Sequence, residues 1–291
     1  LADNDTLEKY REAGRILTEV KDNAVKKIKV GASLLELAEH IESSIKEKGA
    51  GVAFPANISL NEEAAHATPS KNDKRVFARD LVKLDIGTHI DGYIADTAVT
   101  VDLGNNKEIV RASQTALDAA IDVIKAGINT SEISEVIEKT ITDFGFNPVV
   151  NLTGHGLEQY VQHAPPSILN KRIETGVNLK EGQVVAIEPF CSNGKGRVYE
   201  AGHAEIFSLL ELKPIRSRDA RIVLNEIEKF KTLPFAKRWL QGRVDMSLRQ
   251  LEVAGIIRSY PILKDRGLVS QSEDTVIVTV DGCEVITRAL P

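Results

Sequence analysis

One stretch of this chain occurs twice. Residues 28–49 align with residues 124–145 at a constant offset of 96, and nine of the 22 positions are identical, Ile28/Ile124, Gly31/Gly127, Glu42/Glu138 and Gly49/Gly145 among them. Chance alone gives roughly one or two. The match resumes downstream at an offset of 97, where His66–Ser70 (HATPS) pairs with His163–Ser167 (HAPPS). Two copies are too few for a solenoid. They fit a pseudo-twofold molecule in which each half contributes one histidine loop, with the same loop geometry expected in both.

Local patterns fill in the halves. Leu7, Tyr10, Leu17, Val20, Ala24 and Ile28 follow helical spacing, which predicts a helix over about 7–28 capped by Asp5 or Thr6. The run Lys26-Lys27-Ile28-Lys29 reads as its solvated face. Ser33 with Glu36 three residues on predicts a capping box for a second helix that buries Leu34, Leu37, Ala38, Ile41 and Ile45 and ends at Gly49. Two β-rich stretches, 81–86 and 94–101, flank Asp91-Gly92 and predict a hairpin; 275–280 and 284–287 flank Asp281-Gly282 in the same way. Val184–Ile187 is a short buried strand. From 217 to 268 the pattern turns helical, in segments near Ile222–Phe230, Phe235–Leu240 and Leu248–Ile257. This predicts a catalytic domain of residues 1–216 and 269–291 with a helical subdomain inserted at 217–268.

Bulk properties bound the function. A chain of 291 residues with 42% hydrophobic and 27% charged residues is an ordinary globular composition. The net charge of -5 gives no general nucleic-acid footprint. Two cysteines, Cys191 and Cys283, make no disulfide framework and suit a reducing cytoplasm, with a lone bridge left open. No apolar run reaches membrane-spanning length and no signal peptide is visible. The sequence begins at Leu1 rather than Met, so a longer natural start is expected.

Asp85, Asp96, His155, Glu188 and Glu273 make a hard, oxygen-rich ligand set. Such a set can hold two divalent ions through bridging carboxylates, which points to metal-assisted hydrolysis. In the first hairpin, strand alternation can bring Asp85 and Asp96 to one face. Two carboxylates there raise each other's pKa unless a cation intervenes. His155 lies between two glycines, which permit close backbone approach or positive φ. Glu188 ends a buried strand and needs a partner. The same alternation sends Asp274 to the face opposite Glu273 and returns Thr275 to the metal side as a donor orienting a carboxylate. Taken singly, each residue has a plain structural alternative: exposed strand aspartates, a loop histidine, a solvent-facing strand start. The paired His66 and His163 are candidates for proton transfer or oxyanion stabilisation, or are structural loop histidines.

These residues resemble a known family. Ala53-Phe-Pro55 with Ser59-Leu-Asn61, Ala64–Pro69 (AAHATP), Asp85 with Asp96-Thr97 eleven residues on, Gly154-His-Gly156, Ile187-Glu-Pro189 and Thr232–Leu240 are similar to methionine aminopeptidases of the type 2 class, nearly end to end. The resemblance implies an α+β pita-bread fold: two pseudo-symmetric α/β halves around a curved antiparallel sheet, with a helical insertion. It implies two divalent ions, for which Co, Mn, Fe, Zn and Ni all suit the ligands. Asp85 would bind one, His155 and Glu188 the other, and Asp96 and Glu273 would bridge. It implies that a bridging hydroxide attacks the first peptide carbonyl, that His66 and His163 contact substrate and intermediate, and that Glu188 shuttles a proton. Phe54 and Pro234 would wall the methionine pocket. The implied reaction removes N-terminal methionine from nascent polypeptides when the second residue is small. The implied setting is a cytoplasmic monomer, meeting its substrates near the ribosome exit region, with no membrane or direct nucleic-acid role. Gln162, Ser272 and Asp274 depart from the family pattern and bear on the pocket's shape. An X-Pro dipeptidase on the same fold and a non-catalytic binding homologue are the alternatives.

Overall fold

The computed structural model describes residues 3–289. The first half contains α1 (Asn4–Val25), α2 (Leu34–Glu47), β1 (Gly51–Leu60), β2 (Glu63–Ala65), β3 (Leu81–Ile90) and β4 (Tyr93–Asp102). The second contains α3 (Lys107–Val123), α4 (Thr130–Asp143), β5 (Asn147–Pro148), β6 (Thr153–Glu158), β7 (Val161–Leu169), β8 (Val184–Ile187) and β9 (Phe190–Ser192). The chain then runs through β10 (Tyr199–Leu209), α5 (Arg218–Ile227), β11 (Phe235–Ala236), α6 (Val244–Val253), β12 (Ile257–Lys264), β13 (Val269–Gln271), β14 (Asp274–Val278) and β15 (Cys283–Val285).

The duplication is visible in the backbone. Gly31 and Gly127 have φ of 88° and 89°, and Gly49 and Gly145 both have 81°. Gly31 N–H donates to Phe77 O, and Gly127 N–H donates to Leu179 O, both at 2.8 Å. Ser33 and Asn129 cap α2 and α4 from equivalent positions. Each half has its own apolar core. Leu17, Ile41, Ile58 and Leu84 belong to one; Leu117, Ile137, Val185 and Val276 belong to the other. The helix pairs lie outside antiparallel strands, and the Ala98–Glu273 bridge joins β4 to the residue preceding β14. This is the pita-bread arrangement that the resemblance implied.

Several local expectations need correction. The first helix runs 4–25, not 7–28: Asp3, rather than Asp5 or Thr6, accepts from the Thr6 N–H at 2.8 Å, and the chain turns at Lys26 instead of presenting a solvated helix face there. Ser33 Oγ accepts from Glu36 N–H, but the reciprocal capping box is complete only in α4, between Asn129 and Glu132. The helical pattern does not continue to 268. Residues 257–264 form β12, because their backbone pairs with β10 on one side and β2 on the other. Helical structure between 217 and 256 packs around Phe207, Leu224, Phe235 and Leu251. The Asp91-Gly92 hairpin is as expected, with both residues at positive φ, the geometry of a two-residue turn that matches strand twist.

Candidate metal centre

Asp85 and Asp96 reach the same face because their strands are paired in register. Asp85 sits opposite Ala98, and Gly87, two residues on and on the same face, sits opposite Asp96. His155 comes from β6, which is clasped between β7 and β8. Its glycine neighbours serve close approach. A Cβ on Gly154 would lie 2.5 Å from Ala186 O, and one on Gly156 would lie 2.2 Å from Pro165 O. Neither glycine takes positive φ. Glu188 follows β8, and Glu273 enters through its backbone bridge to Ala98.

The five side chains converge. Ligand atoms of Asp96, His155 and Glu273 lie within 4.8 Å of one another, as do those of Asp85, Glu188 and Glu273. Glu273 belongs to both groups. The resemblance pairs Glu188 with His155, whereas here Glu188 groups with Asp85. The Gln271 amide spans that pair: its Nε2 donates to Asp85 Oδ2 at 3.2 Å and to Glu188 Oε1 at 2.9 Å. His155 Nδ1–H donates to Gly156 O at 3.2 Å, which leaves Nε2 facing Asp96 at 3.9 Å as a lone-pair donor.

This donor set fits divalent cations. Asp85 Oδ1, Asp96 Oδ1 and both Glu273 carboxylate oxygens are buried and accept no hydrogen bond. Buried unpaired carboxylates are costly. Burial, reinforced by mutual repulsion, pushes Asp96, Glu188 and Glu273 well above the ordinary carboxylate range, and burial alone lifts Asp85 to about 7. Positive charge among them removes both penalties.

Asp274 lies on the other side, as alternation required. It accepts from Thr287 Oγ1 at 2.7 Å and from Arg288 Nε at 2.5 Å, with Lys21 Nζ 3.8 Å away. The role expected of Thr275 needs correction. Its hydroxyl bonds the backbone N–H and carbonyl of Asp96, both at 2.8 Å, and fixes the ligand's main chain rather than a carboxylate.

A cavity of about 300 Å³ opens over these groups. His66, His163, Phe54 and Pro234 all line it, with Asn57, Gln162, Arg258 and Tyr260. The two histidines do not share a loop geometry, contrary to the expectation from their repeat. His66 follows β2 at φ 65°, while His163 lies inside β7 in extended backbone. The strands differ in partner: β2 pairs with β12, and β7 with β6. His66 Nδ1–H donates to Pro261 O at 3.2 Å, so Nε2 is the free acceptor. Burial lowers His66 to about 4 and His163 to about 3, and both are neutral at pH 7. The His155 and His163 rings meet edge-on, with centroids 4.6 Å apart.

The decisive comparison is with sequence families. The profile of metallopeptidase family M24 matches residues 8–279. The chain belongs to family M24. It is 54% identical over 290 residues to the methionine aminopeptidase of Archaeoglobus fulgidus, covering 98% of this chain and 100% of the relative. Among solved structures, the methionine aminopeptidase of Thermotoga maritima has the same fold, with a TM-score of 0.74 at 23% identity, covering 99% of this chain and 98% of the other. A thermophilic Arx1 superposes with a TM-score of 0.88 at 19% identity, covering 100% and 92%. Both likenesses concern the fold alone. No described helix of this family member is long and apolar enough to cross a membrane.

Gln271 and Asn57 escaped the sequence reading. Asn57 lies directly opposite Asp85 on β1. Amides have no titration chemistry to betray them, although Gln271 stands two residues before Glu273.

Proposed function

We propose that this M24 chain is a type 2 methionine aminopeptidase that removes N-terminal methionine from polypeptides when the second residue is small. The observation that carries the reading is the buried five-residue cluster under a cavity bearing two neutral histidines, in a chain that matches a methionine aminopeptidase end to end. That full-length match favours it over the dipeptidase alternative. The intact ligand set favours it over a non-catalytic homologue.

Asp85, Asp96, His155, Glu188 and Glu273 would hold the cations, with Glu273, common to both ligand groups, best placed to be shared. When bound, divalent ions supply Lewis acidity, making water nucleophilic near neutral pH and polarising a carbonyl. The protein's own groups do the rest. Phe54 and Pro234 offer an apolar wall for the methionine side chain. His66, with Nε2 free, accepts a hydrogen bond or a proton at that atom. His163, neutral and over the ligands, can donate N–H to a developing oxyanion. Glu188, which lines the cavity beside the other ligands, would carry a proton to the leaving amine. Gln271 orients Glu188 and Asp85. The helical segment after residue 217 is the inserted subdomain of this reading, and a cytoplasmic monomer acting near the ribosome exit is its setting.

The test is methionine release by metal-reconstituted protein from Met-Ala-Ser and Met-Pro peptides. Preference for Leu- or Lys-initiated peptides would overturn the assignment.

A further inference from the structure

The cavity has one feature that the reaction above leaves unused. Arg258 and Tyr260 project from the same face of β12, opposite Ser208 and Ile206 of β10. Ser208, itself buried, shares a hydrogen bond with the Tyr260 hydroxyl at 3.1 Å. Arg258 donates an N–H to that hydroxyl at 2.6 Å, and its guanidinium lies 4.8 Å from the ring centroid. Tyr260 also meets the His66 ring edge-on at 5.4 Å. A tyrosine anchored at one end therefore holds an exposed guanidinium at the rim of the cavity. Arg258 is the only Lys or Arg lining this cavity, and it forms no ion pair with an acidic group among the described residues. Its charge reaches the working groups, since it helps to hold both His66 and His163 in the neutral form.

We infer that Arg258 is a specificity-determining residue that reads a carboxylate on the substrate downstream of the scissile bond. The inference rests on the peptidase reading above. Phe54 and Pro234 line the cavity on the methionine side, and that reading keeps the second residue small. The third residue is then the first free to carry an acidic side chain. A planar guanidinium held by a phenol suits bidentate recognition of a carboxylate. Its exposure limits the gain to the range of surface charge pairs, up to about fivefold in kcat/KM, with a comparable penalty for a cationic residue at the same place.

The test compares the amidated peptides Met-Ala-Asp-Ala and Met-Ala-Lys-Ala on metal-loaded full-length protein, in the wild type, R258M and R258E. The readout is the Asp/Lys ratio of kcat/KM within each protein, so a common loss of metal or fold cancels. The wild type is expected to favour Asp by about three- to tenfold, mainly through KM, with the preference shrinking at high salt. R258M should bring the ratio to about one, and R258E should invert it. Free-acid Met-Ala-Ser against its amide reports whether a terminal carboxylate takes the same place; that preference should also vanish in R258M. A wild-type ratio near one, or a ratio unchanged by R258M, overturns the assignment of Arg258. Absence of methionine release from every peptide overturns the peptidase reading itself, and this inference falls with it.

Discussion

Stripping the metal should make the protein less stable as pH rises above neutrality. Asp85, Asp96, Glu188 and Glu273 are raised by burial, the last three also by one another's charge. A carboxyl with a raised folded pKa contributes stability that is present below its unfolded pKa and lost as pH climbs through its folded value. The buried histidines act in the opposite sense. His66, His155 and His163 are lowered to about 4, about 4 and about 3 from 6.5, so their contribution is present above 6.5 and lost as pH falls. The two sets oppose each other between about pH 4 and 6.5. Above that Asp85 titrates at about 7 and the other three carboxyls, raised well above their ordinary range, act in the same sense, while Lys83, lowered by burial to about 7, opposes them by one proton. Each proton kept by the folded chain but lost by the unfolded one costs about 1.4 kcal/mol per pH unit. An unfolding entropy near 2.1 cal/mol/K per residue gives about 0.6 kcal/mol/K for a chain of this length. One retained proton then lowers Tm by about 2 °C per pH unit, and three lower it by about 7 °C. The assay is calorimetry of chelator-stripped protein from pH 6.5 to 8.5, beside the same protein with excess divalent metal. The stripped protein should melt progressively lower relative to the loaded one, because cations keep the carboxylates ionised in the fold while Lys83 acts alike in both. A stripped protein whose Tm does not fall relative to the loaded one over that range would refute the clustering on which the calculation rests.

Glu273→Ala should lose bound metal and nearly all activity, whereas Asp274→Ala should keep its metal, with the damage appearing as about 1–3 kcal/mol of stability from the orphaned Thr287 and Arg288 partners; metal analysis beside a melting curve separates the two. His66→Ala and His163→Ala should each retain metal while kcat falls by about 10²-fold or more, and stoichiometric loss of metal in either would make that histidine a ligand. Arg238 donates to Glu42, to Thr68 Oγ1 at 2.8 Å and to Pro69 O at 3.0 Å, all buried and two to three residues from His66 at the latter pair. Burial pushes Glu42 up and Arg238 down despite their pairing, so the pair fixes geometry more than it stabilises. Arg238→Met should cost about 3–5 kcal/mol by denaturant midpoint, part of it recovered when Glu42→Gln is added.

What the sequence revealed follows from which forces act locally. The duplicated caps and glycines are short-range signals, and they gave the two halves. The Asp91-Gly92 turn and strand alternation placed Asp85, Asp96 and the outward Asp274. Nonlocal pairing was harder to read. Residues 257–264 continue a helix-like apolar pattern and become a strand only because β10 and β2 lie beside them. In β1, Pro55 interrupts the strand signal, and its register slips between Phe54 and Asn57, hiding the position of Asn57 opposite Asp85. The repeated histidine motif correctly foretold a shared cavity but not a shared backbone, because neighbouring strands set that conformation. Gln271 carries no charge, and its bridge between two carboxylates emerges only in three dimensions.

The most direct test of the metal assignment is anomalous diffraction from crystals of metal-loaded protein, recorded at the absorption edge of the added ion. Anomalous peaks are expected among Asp85, Asp96, His155, Glu188 and Glu273, with coordinating atoms about 2.0–2.3 Å away and Glu273 touching more than one peak. Peaks elsewhere, or an Asp274 oxygen in the coordination shell, would contradict the account.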